Sequence, residues 1–131
     1  MVVGIGVDFV EVGRIRAALR RAGFRDRVFT AEEIRECQRR KRSPEESFAA
    51  RFAGKEAVFK ALGRGVGQGG IGWKDVEILR GDGAPSVRLR GAAERRAEEL
   101  HVARWHVALS HAAGFAVAVV IAESVGTPRA R

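Results

Sequence analysis

The stretch Ala50-Arg51-Phe52-Ala53-Gly54-Lys55-Glu56-Ala57-Val58-Phe59-Lys60-Ala61-Leu62-Gly63 decides the fold. Phe48, Phe52, Phe59 and Leu62 recur at spacings of four, seven and three, so they share one face of a 3.6-residue period and the stretch reads as a helix. Gly63 is a natural stop for it. Glu56 and Lys60 stand one turn apart, and an exposed helix pair is one account of them. Two features argue for another. Ala49, Ala53 and Ala57 flank that face, and Gly54 lies in the helix interior, where glycine costs about 1 kcal/mol. Close approach of another backbone, or of a ligand, explains both. Lys55 falls by angle among the phenylalanines. It either snorkels, with its stem on the aromatic face and its ammonium in water, which is the preferred reading, or it reaches an anion.

Upstream, Val2 to Val10 is short, apolar and β-branched, a strand interrupted by Gly4, Gly6 and Asp8. Strand alternation, with Val7 and Phe9 taken as core-facing, sends Asp8 to the other face beside Gly6, where a missing side chain leaves room for a ligand or metal. Glu11 to Ala22 follows as a helix with Val12, Ile15 and Leu19 as its seam. Around it stand six arginines in fourteen residues (Arg14, Arg16, Arg20, Arg21, Arg25, Arg27), with Phe24 among them. This is either a solvated face or a docking surface, since arginine forks bind carboxylates and phosphates and an aromatic supplies an anchor. Thr30-Ala31-Glu32-Glu33 is a capping box that opens a helix running to about Arg40. Ser43 and Pro44 launch the central helix.

Downstream, six glycines between Gly63 and Gly72 make a loop able to turn N–H groups toward phosphate, in neither the Walker nor the dinucleotide spacing. Val76–Leu79 and Ser86–Leu89 alternate around Gly81-Asp82-Gly83 and predict a hairpin. A short helix spans Gly91 to Leu100. Trp105–Leu109 and Gly114–Ala122 are the last two strands, with Ser110-His111 in the turn between them. The final strand is apolar almost throughout, as expected at a sheet centre or a subunit contact. Residues 1–123 read as one domain and Ser124 to Arg131 as a flexible tail.

The 131 residues are 46% hydrophobic, enough for a single core, and carry a net charge of +8, so an acidic partner or substrate is expected. Aromatics make up 7% with no tyrosine, which leaves little to stack bases on and weakens a single-stranded nucleic-acid reading. The lone Cys37 excludes an intrachain disulfide and a cysteine-built metal site. The start of the chain lacks the basic and apolar regions of a secretion signal, and no apolar run is long enough for a bilayer. A cytoplasmic location, away from membrane, is the expectation.

Three pieces carry chemistry: Asp8 at a strand, Glu56 with Lys60 on the helix, and Ser110-His111. Two carboxylates from separate elements suit a hard cation such as Mg²⁺, with water and substrate phosphates completing the shell and a nearby lysine neutralising those phosphates. Gly4-Ile5-Gly6-Val7-Asp8, the run Arg51 to Gly63, and Leu109-Ser110-His111 together resemble holo-acyl-carrier-protein synthase, the small bacterial class of 4′-phosphopantetheinyl transferases. The likeness runs from about Val2 to Glu123; Arg64 and Ala108 depart from the usual small hydroxyl residues.

The resemblance implies a reaction: the phosphopantetheine arm of coenzyme A moves to a serine of apo acyl carrier protein, and adenosine 3′,5′-bisphosphate leaves. It implies Mg²⁺ on Asp8 and Glu56, and catalytic roles for Glu56 and Lys60. Glu56 or a metal-bound water would take the serine proton. It further implies coenzyme A contacts from Arg51, Lys60, Gly63, Gly65, Ser110 and His111, the last at the adenosine-phosphate end. Arg14, Arg20, Arg21 and Phe24 become the docking face for an acidic carrier, and the assembly a homotrimer with sites between subunits. The expected fold is α+β, with helices packed on one side of a small antiparallel sheet. The rival reading is a basic module that binds nucleic acid or an acidic protein without chemistry.

Overall fold

The computed structural model describes residues 1–40 and 43–126. It runs β1 (Val2–Glu11), α1 (Val12–Leu19), α2 (Phe24–Val28), α3 (Ala31–Gln38), α4 (Pro44–Leu62), β2 (Val76–Leu79), β3 (Ser86–Leu89), α5 (Gly91–Glu99), β4 (Val102–Ala112) and β5 (Phe115–Ser124). β1, β5 and β4 form a three-stranded antiparallel sheet in that order, and β2 and β3 pair as a separate antiparallel hairpin. The α+β expectation holds, and the apolar final strand is the central one.

α4 is the axis. Its 19 residues begin at Pro44, in the first helical position where a missing N–H costs nothing, and end at Gly63 in the left-handed region. Ser43 precedes it but makes no side-chain cap. Phe48, Val58, Phe59 and Leu62 are buried, and so are Ala49, Ala53, Gly54 and Ala57 on other sides. A helix covered nearly all round is a core helix rather than a surface one. One side stacks Phe52 on Trp73 at 5.1 Å and sets Phe48 edge-on to Phe29 at 4.9 Å. Another lies on the sheet.

How close that second contact comes is fixed by glycine. A Cβ built on Gly6 would stand 1.7 Å from the Ala57 carbonyl oxygen, and one on Gly4 2.2 Å from that of Ala61. The strand therefore rests on the helix backbone itself. The register extends the smallness inward: Gly4 lies opposite Ala122, Gly6 opposite Val120, Asp8 opposite Ala118 and Val10 opposite Ala116. This reverses the expected facing of β1. Val7 is 49% and Phe9 65% exposed, while Gly6 and Val10 are buried. Asp8 does share its face with Gly6, but what approaches those glycines is helix α4. Gly54 is tight on its own side too: a Cβ built there would stand 3.2 Å from an Ile78 side-chain atom.

Other boundaries shift. The first helix ends at Leu19, and Gly23, at φ 86°, turns the chain into the separate α2. α3 stops at Gln38. Its capping box is present: the Glu33 N–H donates to Thr30 Oγ1 at 3.2 Å and the Thr30 N–H to Glu33 Oε1 at 2.8 Å. β4 runs through Ala112, so Ser110 and His111 are strand residues and the turn is Ala113-Gly114, both at positive φ. Ser124 closes β5, its N–H donating to the Met1 carbonyl at 2.8 Å; the remainder of the expected tail from 127 lies outside the described residues.

Lys55 does not snorkel, the preferred reading; it takes the alternative and reaches an anion, the Glu33 carboxylate inside the core. Its ammonium is sealed in the core, 2.8 Å from Glu33 Oε1, and donates to the carbonyls of Trp73, at 3.1 Å, and Val76. Both side chains of that pair are fully buried. Burial pushes the Lys55 ammonium below its ordinary range and the Glu33 carboxyl above its own, each opposed by the other's charge. Cys37 is buried as well, its thiol pushed up to about 12 chiefly by desolvation, which agrees with a structural role.

The strand–helix contact makes a sharp prediction. Gly6→Ala is expected to destabilise the chain by about 3 kcal/mol or more, because backbone must move to admit a methyl group. Gly13→Ala in α1, where an added Cβ meets nothing within 4 Å among the described residues, is expected to be neutral or stabilising by about 0.5–1 kcal/mol. Chemical denaturation of the two variants reads both; a Gly6→Ala chain as stable as the parent contradicts the packing.

Candidate active site

The inward row of β1 delivers Asp8 to the side of α4 from which Glu56 and Lys60 project. The Lys60 ammonium donates to Asp8 Oδ1 and to the Val7 carbonyl, both at 3.0 Å. Asp8 is 19% exposed in its side chain and Lys60 52%. Asp8 and Glu56 line one cleft of about 300 Å³, walled by Phe9, Ile15, Ala18, Phe24 and Phe52 and flanked by Arg14 and Arg21. Burial first, and the Asp8 charge second, push the Glu56 carboxyl above its usual range; Lys60 opposes them. The two carboxylates thus feel each other across an apolar-walled cleft.

That is a donor set for a hard cation. Among the described residues no three or more of His, Cys, Asp and Glu gather as a metal site, so an ion here would rely on water or substrate oxygens for most of its shell. Mg²⁺ tolerates that arrangement, and its charge would relieve the repulsion that raises Glu56.

The residues expected at the nucleotide do not all converge. Gly63 ends α4, and its neighbour Leu62 offers its carbonyl to Arg96 Nε at 2.9 Å. The Gly65 N–H is already given to Gln68 Oε1 at 2.7 Å, and the Gly67 N–H to the Ile71 carbonyl, so the glycine loop closes largely on itself. Arg51 is almost wholly buried, donating to Glu36 Oε1 at 2.8 Å. Ser110 and His111, as neighbours in a strand, face opposite ways. Ser110 pairs across to Val117 on the row that holds Phe9, the outer face of the sheet. His111 shares the inner row with Ala116, and its Nδ1 lies 2.8 Å from Glu46 Oε2 near the start of α4.

His111 and Arg51 help line a basic pocket with Arg39, Arg40 and Arg80. Neither Glu36, Glu46 nor these three arginines stood out in the sequence. Glu36 belongs to no motif; the Arg39-Arg40-Lys41-Arg42 run was the available signal, and Lys41 and Arg42 lie outside the described residues. Arg14 on α1, and Arg20 and Arg21 just past its end, are exposed as a docking face requires. Phe24 is only 8% exposed, so it is a wall of the cleft rather than a protruding anchor, with the Arg21 guanidinium 5.8 Å from its ring centre.

The chain matches the 4′-phosphopantetheinyl transferase superfamily over residues 4–120 and belongs to that family. It is 46% identical to the holo-[acyl-carrier-protein] synthase of Streptomyces avermitilis over 124 residues, covering 93% of this chain and 98% of that one. Among solved structures, the holo-[acyl-carrier-protein] synthase of Neisseria meningitidis superposes with a TM-score of 0.83 at 31% identity, covering 95% of this chain and all of that one. The Helicobacter pylori synthase in complex with coenzyme A gives a TM-score of 0.78 at 31% identity, covering 91% and 99%.

The raised Glu56 carboxyl has a consequence for stability. A carboxyl whose folded-state pKa lies above its unfolded value stabilises the fold while protonated, and that contribution is lost as pH rises through the folded value. Glu56→Gln imitates the protonated form. In metal-free buffer it is expected to raise Tm by about 1–3 °C at pH 7–8 and by nothing near pH 4. Melting curves at the two pH values check this; a lower Tm at pH 8 would show that Glu56 is not strained by burial and Asp8.

Proposed function

We propose that the chain transfers the 4′-phosphopantetheine arm of coenzyme A to a serine hydroxyl of an apo acyl carrier protein and releases adenosine 3′,5′-bisphosphate. The observation that carries the reading is the meeting of Asp8 and Glu56 at one cleft, with the Lys60 ammonium 3.0 Å from Asp8. It does so in a chain whose relatives are named for that reaction, one of them in complex with coenzyme A.

The serine oxygen attacks the phosphorus that bears the pantetheine arm. The bond from that phosphorus to the bridging oxygen breaks, and the bisphosphate departs with the electron pair. Glu56, whose carboxylate lines the cleft, is suited to accept the serine proton. Lys60, half-exposed beside Asp8, would neutralise phosphate oxygens brought to the two carboxylates. Asp8 and Glu56 would hold Mg²⁺, which supplies Lewis-acid withdrawal of charge from the diphosphate.

The acidic carrier meets Arg14 on the exposed face of α1 and Arg20 and Arg21 just past its end, beside the same cleft. The net charge of +8 favours its approach. Arg51 and His111, in the basic pocket, fit the 3′-phosphate of coenzyme A, the anionic group that remains once the diphosphate sits at Lys60. Glu46, beside His111, and Gly63 stand about 25 Å apart along α4, so one chain does not gather all the nucleotide residues.

A homotrimer completes the site. The outer face of the sheet is apolar and exposed, with Ile5, Val7 and Phe9 beside Val117 and Val119, and Ser110 and Ala108 opposite those valines. Such a face calls for a partner, and a second copy seated on it would bring a second set of nucleotide residues to the first cleft. Among the described residues no helix is long and apolar enough to cross a membrane. A cytoplasmic location, with carrier protein rather than lipid or nucleic acid as the partner, belongs to the same proposal.

With apo carrier protein, coenzyme A and Mg²⁺, the carrier is expected to gain one phosphopantetheine by mass spectrometry, and Asp8→Asn or Glu56→Gln to lower kcat by about a hundredfold or more. Reversing charge at Arg14 and Arg21 is expected to raise KM for the carrier, most strongly at low salt. No mass gain where a proven transferase succeeds would leave only a basic binding module. By sedimentation, the parent chain is expected to run as a trimer and Val119→Glu as a monomer; a monomeric parent would remove the composite site.

A further inference from the structure

The basic pocket at the start of α4 is built around a carboxylate. Glu36, on α3, accepts through Oε1 from Arg51 Nη2 at 2.8 Å and from the Arg80 N–H at 2.9 Å, and through Oε2 from the Gly81 N–H at 2.9 Å. Three elements meet at that group: α3, α4 and the turn between β2 and β3. The side chains of Arg51 and Glu36 are 2% and 12% exposed. Burial pushes the Glu36 carboxyl up, but the two N–H groups and the Arg51 guanidinium outweigh it and bring it down to about 2. It is therefore charged at every working pH.

A fixed negative charge beside an anion pocket is a contradiction unless it acts on the cations. Here both oxygens are committed to Arg51 and the turn. Among the described residues, the basic side chains left around the opening are Arg39, Arg40, Arg80 and His111, set against the carboxylates of Glu46, 2.8 Å from His111 Nδ1, and Asp82 on the turn. Resting on the coenzyme A reading above, we propose that Glu36 is a positioning residue for the 3′-phosphate: it fixes Arg51 and the Arg80–Gly81 turn so that the pocket presents cations already in place. Cations held before the ligand arrives spare the ordering otherwise lost on binding, and charge-assisted contacts to phosphate depend on that geometry.

The role predicts discrimination between substrates that differ only in the 3′-phosphate. KM is measured for coenzyme A and for 3′-dephospho-coenzyme A in the parent, Glu36→Gln and His111→Ala chains, with melting curves alongside. The parent is expected to prefer coenzyme A. Glu36→Gln is expected to cut that preference about tenfold through KM for coenzyme A, and to raise the inhibition constant of adenosine 3′,5′-bisphosphate but not that of adenosine 5′-monophosphate. A merely structural role would weaken all these ligands alike. Glu36→Asp keeps the charge but is too short to reach Arg51 and the turn together, and the same reduced preference is expected. It serves if Glu36→Gln does not fold. A full parental preference in either folded Glu36 variant, with His111→Ala losing it, overturns the proposal. Preference unchanged in all three chains overturns the assignment of the pocket to the 3′-phosphate instead.

Discussion

The rest of this structure depends on one contact, the seating of β1 directly on the backbone of α4. Gly4 and Gly6 allow it, because any side chain there would occupy the space of the Ala61 and Ala57 carbonyls. The contact fixes the strand along the helix. Two residues beyond Gly6 comes Asp8, and one residue before Ala57 comes Glu56, so the glycine that removes bulk also sets a carboxylate beside a carboxylate. Lys60, one turn on, bridges the gap to Asp8. Chemistry here follows from a packing distance.

The opposite side of the same helix turn is held by charge. Lys55, immediately before Glu56, is pinned by Glu33, Trp73 and Val76, which tie α3, α4 and the entry to β2 together. A buried ion pair is weak evidence for stability, since desolvation offsets much of its attraction. What it does fix is direction, because three fixed acceptors leave the ammonium few ways to turn. The helix that carries Glu56 is thereby constrained by glycines on one side and by a buried cation on the other. A site whose two carboxylates repel each other needs such a frame, as nothing in their own interaction keeps them together.

The sheet shows the same inversion of ordinary rules. Its inner face is small, with Gly4, Gly6, Ala116, Ala118 and Ala122 under α4, and its outer face is large and apolar. In a lone chain that distribution is unfavourable, since Val7, Phe9 and Val119 stay in water. It suits the proposed assembly, in which the sheet would lie between a helix and another subunit.

Much of this was legible residue by residue. The apolar period of α4, its Pro44 start and Gly63 stop, the Thr30–Glu33 box and the β2–β3 hairpin are local patterns, and local backbone preference writes them into the chain. So is the placing of Glu56 and Lys60 one turn apart, and the motifs around Asp8 and His111 pointed to the family. Tertiary structure alone decided which face of β1 is inward, that Lys55 is buried, that Phe24 is a wall, and that Ser110 and His111 face apart. For β1 the reason is what presses against it. Alternation reveals that a strand has two faces but not what will press against each; when the neighbour is a helix backbone, the inward residues are the smallest, and the large apolar ones turn out.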